Sequence, residues 1–389
     1  MDNTHSSTLL EHLEHVPDPR SRHGQRFPWR MLLALLSAGL ASGQKTPRAI
    51  AHWVKEHAAE LLAVLQPAKP RLPSATTLWR LLKEVDEASI EEQVARHNQA
   101  LDADDAPASR VQAANGTALQ GQSVDGKELR GTNAHGEPHC LVSLVRHGSA
   151  YTLGQEDVPG KGHEIQAVHR LLAERDLSGT VTTMDALLTQ RSIAELILRQ
   201  HGHYLMVVKP NQPELYNAIA LLFESPPEPV IPGEVQTFTY PGKEHGRLET
   251  RTLTCSPALA TYTYLKWPGL AQVMRRTCQR INLRTGQIER QTRYGLTSLD
   301  RSLAGPQLIE HFWRQHWTIE NGSHYVRDET LGEDRGQTHT GSAPRVLAAL
   351  RNGLMALLRH RGWSNIAEAL RHYGASPQRA LQLIGWPET

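Results

Sequence analysis

The chain has 389 residues, 39% of them hydrophobic and 21% charged, with a formal net charge of +2. A chain of this length and balance has room for two or three domains around a sizeable core, which excludes the disordered and fibrous classes. Three cysteines without metal-ligand spacing argue against a disulfide framework, and the most apolar run, Met31 to Leu40, is about half of the roughly 20 residues that span a bilayer.

The small net charge conceals 42 Lys and Arg and 21 His, so a nucleic-acid partner turns on how charge is distributed rather than on its sum. The opening MDNTHSSTLLEHLEH lacks the basic and apolar regions of a signal peptide, and a reducing, cytoplasmic setting with no membrane partner is expected.

Residues 8 to 103 are predicted all-helical. Apolar residues recur at helical spacing in LLEHLEHV, WRMLLALLSAGLA, TPRAIAHWVKEHAAELLAVL and SIEEQVARHNQAL, and Ser74 is placed to cap TTLWRLLKEV. The Ala-rich polar stretch from Asp102 to Gly116 predicts a linker. Three strands should follow, in TALQGQSVDGKEL, CLVSLVRHG and AYTLGQEDV. Helix HEIQAVHRLLAERDL, strand GTVTTMDAL, helix SIAELILRQHG and strand HYLMVVKP complete the order βββαβαβ. Antiparallel strands followed by crossover helices make a mixed α/β sheet, and this order is that of a ribonuclease H-like core. Residues 226 to 303 predict β-rich pieces inserted before a long helix that Pro306 opens and that carries IENGSHYVRDETL; further helices close the chain. The expected domains are a helical one over 1–103, a linker over 104–116, a first core part over 117–225, a β-rich insertion over 226–303 and a second core part over 304–389.

Three acids stand out. Asp125, in SVDGKELRG, ends an apolar strand and is followed by Gly126, which permits a turn, a bulge or close access to the backbone. Asp185, in VTTMDALLTQ, sits at the C-terminal end of a strand, where α/β sheets bind ligands; a helix cap is its plainer role. Glu320 lies on the late helix. Trp313 and Trp317, seven and three residues before it, and His324 and Arg327, four and seven after, would share its face in an α-helix, with His316 beside them. Distant carboxylates at sheet edges and on an abutting helix are what divalent cations need for phosphoryl transfer on DNA.

The segments SVDGKELRG, VTTMDALLTQ, HYLMVVKPNQP and HWTIENGSHYVRDETLGED together resemble those of DDE-type bacterial insertion-sequence transposases, specifically the H-repeat-associated group. The resemblance covers nearly the whole chain. It implies that Asp125, Asp185 and Glu320 are catalytic and hold two Mg²⁺ or Mn²⁺ ions, cutting element-end phosphodiesters and joining the freed 3′-OH to target DNA. It also implies DNA as partner, through terminal inverted repeats and target, and at least a homodimer on DNA, associated with the nucleoid when acting. Trp313, His316 and Arg327 stand where the broader superfamily has Tyr, Arg and Lys; the closer group shares His316 and Trp317. Leu188 stands where relatives often have His.

Expected DNA contacts are Lys127, Arg130, Lys209, His316, Trp317, His324 and Arg327 around the acids, and Arg22 and Arg26 from the basic cluster Arg20, Arg22, His23, Arg26 and Arg30. Asp328, Glu333 and Asp334 are either supporting acids or a solvated loop. SATTLWRLLKEV is either a recognition helix or an ordinary bundle helix. Two alternatives stand beside the transposase: a decayed or domesticated relative that binds DNA without cutting, and a nuclease of the same fold that never joins strands.

Overall fold

The structure is a computed structural model that describes residues 7–130, 139–158, 160, 162–226, 234–244, 247–262, 265–336 and 338–388. Six helices come first: α1 (Leu9–Glu14), α2 (Trp29–Ala41), α3 (Pro47–Glu56), α4 (Ala58–Leu65), α5 (Ala75–Glu84) and α6 (Glu87–Ser109). Strands β1 (Val111–Gln112), β2 (Ala118–Leu129), β3 (His139–Arg146) and β4 (Thr152–Val158) follow. Then come α7 (Glu164–Leu172), β5 (Thr180–Met184), α8 (Arg191–Arg199), β6 (His203–Val208) and α9 (Pro213–Glu224). Four strands, β7 (Gln236–Glu244), β8 (Arg247–Ser256), β9 (Gln272–Asn282) and β10 (Ile288–Thr297), precede α10 (Pro306–Gln315). Two π-helical stretches, Ile319–His324 and Val326–Thr330, lead to α11 (Ala343–His360), α12 (Ile366–Gly374) and α13 (Pro377–Ile384). No helix among the described residues is long and apolar enough to cross a membrane.

The sheet is mixed, as the order of elements predicts. Its path is β4-β3-β2-β5-β6-β10-β9-β8-β7, with β1 paired to β2. β2 and β5 are parallel, as are β5 and β6, while β6 to β7 along the path pair antiparallel. The β-rich segment is therefore no separate module. β10 docks on β6 in register, Leu296 opposite Met206, and the other three strands extend the same sheet. Helix α9 was not anticipated from the sequence; Pro213 sits in its first turn, where a missing N–H costs nothing.

The chain divides into two compact units. The first comprises Met1–Ala108, Gly126–Lys161 and Thr318–Thr389; the second comprises Ser109–Asp125 and Gly162–Trp317. In the first unit, α2 is buried on every side from Met31 to Ala41, because it is apolar all round. Leucines of α1, α5, α11 and α13 complete that core. Thr8 and Glu11 form a capping box, and Ser74 accepts the Thr77 N–H as expected, at 3.3 Å.

The stretch read as a linker from Asp102 is helical to Ser109, against its propensity. Tertiary contacts hold it. Asp102 is buried and takes a forked bond from Arg146 at 2.7 to 3.0 Å, Asn98 donates to the Thr152 carbonyl at 2.9 Å, and Tyr151 donates to Asp105 at 2.6 Å. In the second unit Leu119, Val181, Leu205, Leu253, Met274, Phe312 and Trp313 share a core. Gly295 is required there, since a Cβ would lie 2.6 Å from the Trp313 ring. Arg276 forks onto Glu310 beneath it, at 2.6 and 2.8 Å.

Candidate metal centre

The site is built first on two neighbouring strands. β2 and β5 run parallel with Val124 opposite Met184, so the next position on one is Asp125 and on the other Asp185. Strands lie about 4.8 Å apart, and in-register side chains share a face. Two residues earlier, and so on that same face, Ser123 and Thr183 meet hydroxyl to hydroxyl at 3.2 Å. Thr183 Oγ1 also meets His316 Nδ1 at 2.9 Å, and Ser123 Oγ donates to the His316 carbonyl at 3.2 Å. This hydroxyl pair fixes the end of α10 against the strand face that carries both aspartates. Thr183→Val, which keeps the shape and removes the hydroxyl, is expected to lower stability by roughly 1–3 kcal/mol; the urea midpoint checks it.

Asp185 is half-buried. Its Oδ1 accepts from the N–H of Leu187 at 2.9 Å and of Leu188 at 3.4 Å, so it braces the turn after β5 rather than capping a helix, because α8 begins at Arg191 with Gln190 at its N-cap. Thr189 pins the loop by donating to the carbonyls of Asp185 and Val207. Asp125 departs from expectation: β2 does not end there but runs through Gly126 to Leu129. Asp-Gly is thus neither a turn nor a strand terminus, and a Cβ at Gly126 would meet only the Cys140 sulfur, at 3.9 Å.

Glu320 departs further. The expected α-helix stops at Gln315, and Glu320 lies in a π-helical stretch, in which Tyr325 N–H donates to the Glu320 carbonyl. The second stretch closes the same way, Leu331 N–H to the Val326 carbonyl at 2.9 Å. Bonds from i to i+5 widen the winding, and such turns concentrate at functional sites. The face expected around Glu320 therefore holds only in part: His324 Nδ1 does lie 3.7 Å from Glu320 Oε2. Trp313 is 2% exposed in the core while Trp317 is 49% exposed, and Arg327 is wholly buried. Gly322 permits the packing: a Cβ there would lie 2.7 Å from that of Ala150, and Arg359 bridges the Gly322 and Ala150 carbonyls.

Asp125 belongs to the second unit, and Glu320 and His324 belong to the first. Glu320 Oε2 and His324 Nδ1 are 3.7 Å apart. Burial pushes His324 below its ordinary pKa, partly offset by the Glu320 carboxylate, so the imidazole is neutral at pH 7. Asp185 follows β5 in the second unit, the strand parallel to the one that carries Asp125. Carboxylate oxygens are the hard donors that Mg²⁺ and Mn²⁺ take, and an imidazole is acceptable to Mn²⁺, so the donor set fits a divalent ion.

The cations expected on phosphate are largely engaged elsewhere. Lys127 is buried, 2.5 Å from Asp328 and 3.8 Å from Asp334. Burial raises the Asp328 pKa, with Lys127 opposing the shift. Arg327 forks onto Glu333 at 2.7 and 2.8 Å and donates to Gln155 Oε1 at 3.1 Å, so it cannot reach a DNA backbone. His316 has one ring nitrogen on Thr183, and His324 is buried. Arg130, Lys209, Trp317, Arg22 and Arg26 are exposed, while Arg20 and Arg30 of the basic cluster pair with Asp18 and Glu14.

Glu333, Gln155, Arg351 and Asn352 were missed as a unit. Gln155 Oε1 also accepts from Asn352 at 3.1 Å, and Arg351 donates to Glu333 at 3.1 Å. Burial would raise the Glu333 pKa, but Arg327, Arg351 and Lys127 outweigh it and hold it below its usual 4.5. A depressed carboxylate contributes stability that is complete above its unfolded pKa and lost as pH falls through the folded one. The stability difference between wild type and Glu333→Gln is therefore expected to be full above pH 4.5 and to close below it, in denaturant titrations across that range.

Residues 108–358 match the family model described as the transposase DDE domain, and residues 10–98 match that of the DDE_Tnp_1-associated region. The chain belongs to the DDE transposase family. It is 28% identical over 248 residues to the "Putative transposase YncI" of Escherichia coli O157:H7, covering 61% of each chain. It is 28% identical over 243 residues to the "H repeat-associated putative transposase YhhI" of E. coli K12, covering 59% of this chain and 61% of that relative. The matched stretch thus spans about three-fifths of these relatives. Membership in the DDE transposases implies a divalent metal.

Proposed function

We propose that the chain is a metal-dependent DNA transposase that cuts element-end phosphodiesters and transfers the freed strand into target DNA. The observation that supports this reading is the parallel register of β2 and β5, whose last pair, Val124 and Met184, immediately precedes Asp125 and Asp185. Glu320, in the family-like stretch IENGSHYVRDETL, is the third acid on this reading. On this reading the sheet and its crossover helices are the ribonuclease H-like core, and the three acids hold two divalent ions.

Bound there, the ions supply charge neutralisation at the phosphodiester and lower the pKa of attacking water. The chain's own residues supply position. Asp185 is oriented by the Leu187 and Leu188 N–H groups, and the strand face is fixed by Ser123, Thr183 and His316. No side chain acts as a covalent nucleophile; acceleration comes from orientation and preset charge. Exposed Arg130, Lys209 and Trp317 are the groups able to meet DNA near the acids, and Arg22 and Arg26 those at the helical front.

The test incubates purified protein with labelled DNA carrying the element ends, a target plasmid, and Mg²⁺ or Mn²⁺. Cleavage at the ends with joined products is the expected result. Cleavage without joining would make the chain a nuclease, and binding without cleavage a domesticated relative.

A further inference from the structure

We propose that one face of strands β7 to β10 is a DNA-docking surface, on which a duplex lies by its phosphate backbone, independently of sequence, held by Arg290, Lys243 and rows of threonine. This rests on the reading of DNA as partner above and adds residues that neither the acids nor the helical front contains.

The first ground is charge. Residues 236–297, which form β7 to β10 and their connections, hold ten Lys and Arg against three Glu, so this stretch carries +7 in a chain whose total is +2. Charge of one sign gathered in one element is the footprint of a polyanionic partner.

The second ground is register. Thr239, Thr252, Thr277 and Thr292 stand opposite one another in a single row across all four strands. Side chains alternate along a strand, so the residues two positions on share this face. They are Pro241, Thr250, Gln279 and Arg290; the next row is Lys243, Leu248, Ile281 and Ile288. No acidic residue stands in these three rows. Helix α9 packs on the face at Arg275, which donates to the Phe223 carbonyl at 3.0 Å, and at Tyr294, which meets Tyr216. Beyond it Thr239, Lys243, Arg290 and Thr292 are exposed. The exposed Leu248 and Ile288 would also suit a second copy of the chain, but two copies would set +7 against +7.

The third ground is the state of the donors. On the opposite face, polar groups are spent on one another: Glu249 accepts from Arg280 and from Cys278 at 2.8 Å each, and Arg276 is held by Glu310. By contrast, Lys243, Thr277, Gln279, Arg290 and Thr292 make no side-chain hydrogen bond or ion pair among the described residues. Arg, Lys, Gln and Thr are the side chains that bond phosphate oxygens, and such bonds position a duplex without reading its bases.

The test measures binding of the full chain to a labelled element-end duplex and to an unrelated duplex of equal length, by fluorescence anisotropy across a salt series. Removing Arg290 and Lys243 together, both to Ala, is expected to weaken both duplexes alike, by about 10-fold near 0.15 M salt. The plot of log Kd against log salt should become shallower by about 0.9 for each cation removed. Arg290→Lys should keep the wild-type slope, because it keeps the charge. Arg251→Ala, which removes a charge from the opposite face, should stay near wild type on both duplexes. If the double variant binds both duplexes as wild type does, the face is not a DNA surface, while the reading of DNA as partner stands. If it loses affinity for the element end alone, the contact reads sequence and the proposal is wrong in kind. If it turns from dimer to monomer in sedimentation with unchanged Kd, the face joins copies of the chain instead. If wild type binds neither duplex, the reading of DNA as partner itself fails.

Discussion

Asp185→Asn is expected to abolish both strand cleavage and strand joining, by on the order of 10³-fold or more, while leaving DNA binding within a factor of about two. The amide keeps the shape, and its oxygen can still accept from Leu187 and Leu188, so the loop after β5 should hold its fold. What it removes is the negative charge one strand from Asp125. Gel-based cleavage and strand-transfer assays beside a binding titration separate these effects. A variant that cuts at the wild-type rate would mean that Asp185 serves only as the cap of its turn. Loss of binding together with activity would instead indicate damage to the fold.

Arg327→Ala should be the most destabilising single substitution in the first unit, by about 3–5 kcal/mol. The guanidinium is fully buried, and it holds both Glu333 and the Gln155 amide oxygen. Its removal leaves Glu333 buried with Arg351 as its remaining ion-pair partner among the described residues, at 3.1 Å. Arg327→Lys should recover part of the loss, because it restores charge but not the fork. Denaturant unfolding of the three proteins checks the order. An Arg327→Ala variant as stable as wild type, with DNA affinity alone reduced, would return Arg327 to the phosphate-contact role that its place in the sequence suggests.

That reversal shows where sequence reading stops. Most of the strand and helix order through residue 208 was legible, because alternating and helical periods are local, though the short β1 was not; the place of Asp185 at the end of β5 was legible, while that of Asp125 inside β2 was not. The π-helical winding was not. It follows from contacts distant in sequence, among them Gly322 against Ala150 and Arg359 on the Gly322 carbonyl. An α-helical wheel drawn around Glu320 therefore put Arg327 and Trp317 on one face, when one is buried and the other exposed. The helical stretch from Asp102 to Ser109 failed to show for the same reason: Arg146 on Asp102 overrides a polar, Pro-containing sequence. Lys127 looked like a phosphate ligand because nothing local announces Asp328 as its partner.

Anomalous diffraction from crystals of the protein bound to an element-end duplex and soaked in Mn²⁺ tests the central claim most directly. Two peaks liganded by Asp125, Asp185 and Glu320, beside the scissile phosphate, are predicted. Peaks elsewhere, or a phosphate held by basic side chains with no metal at these acids, would contradict it.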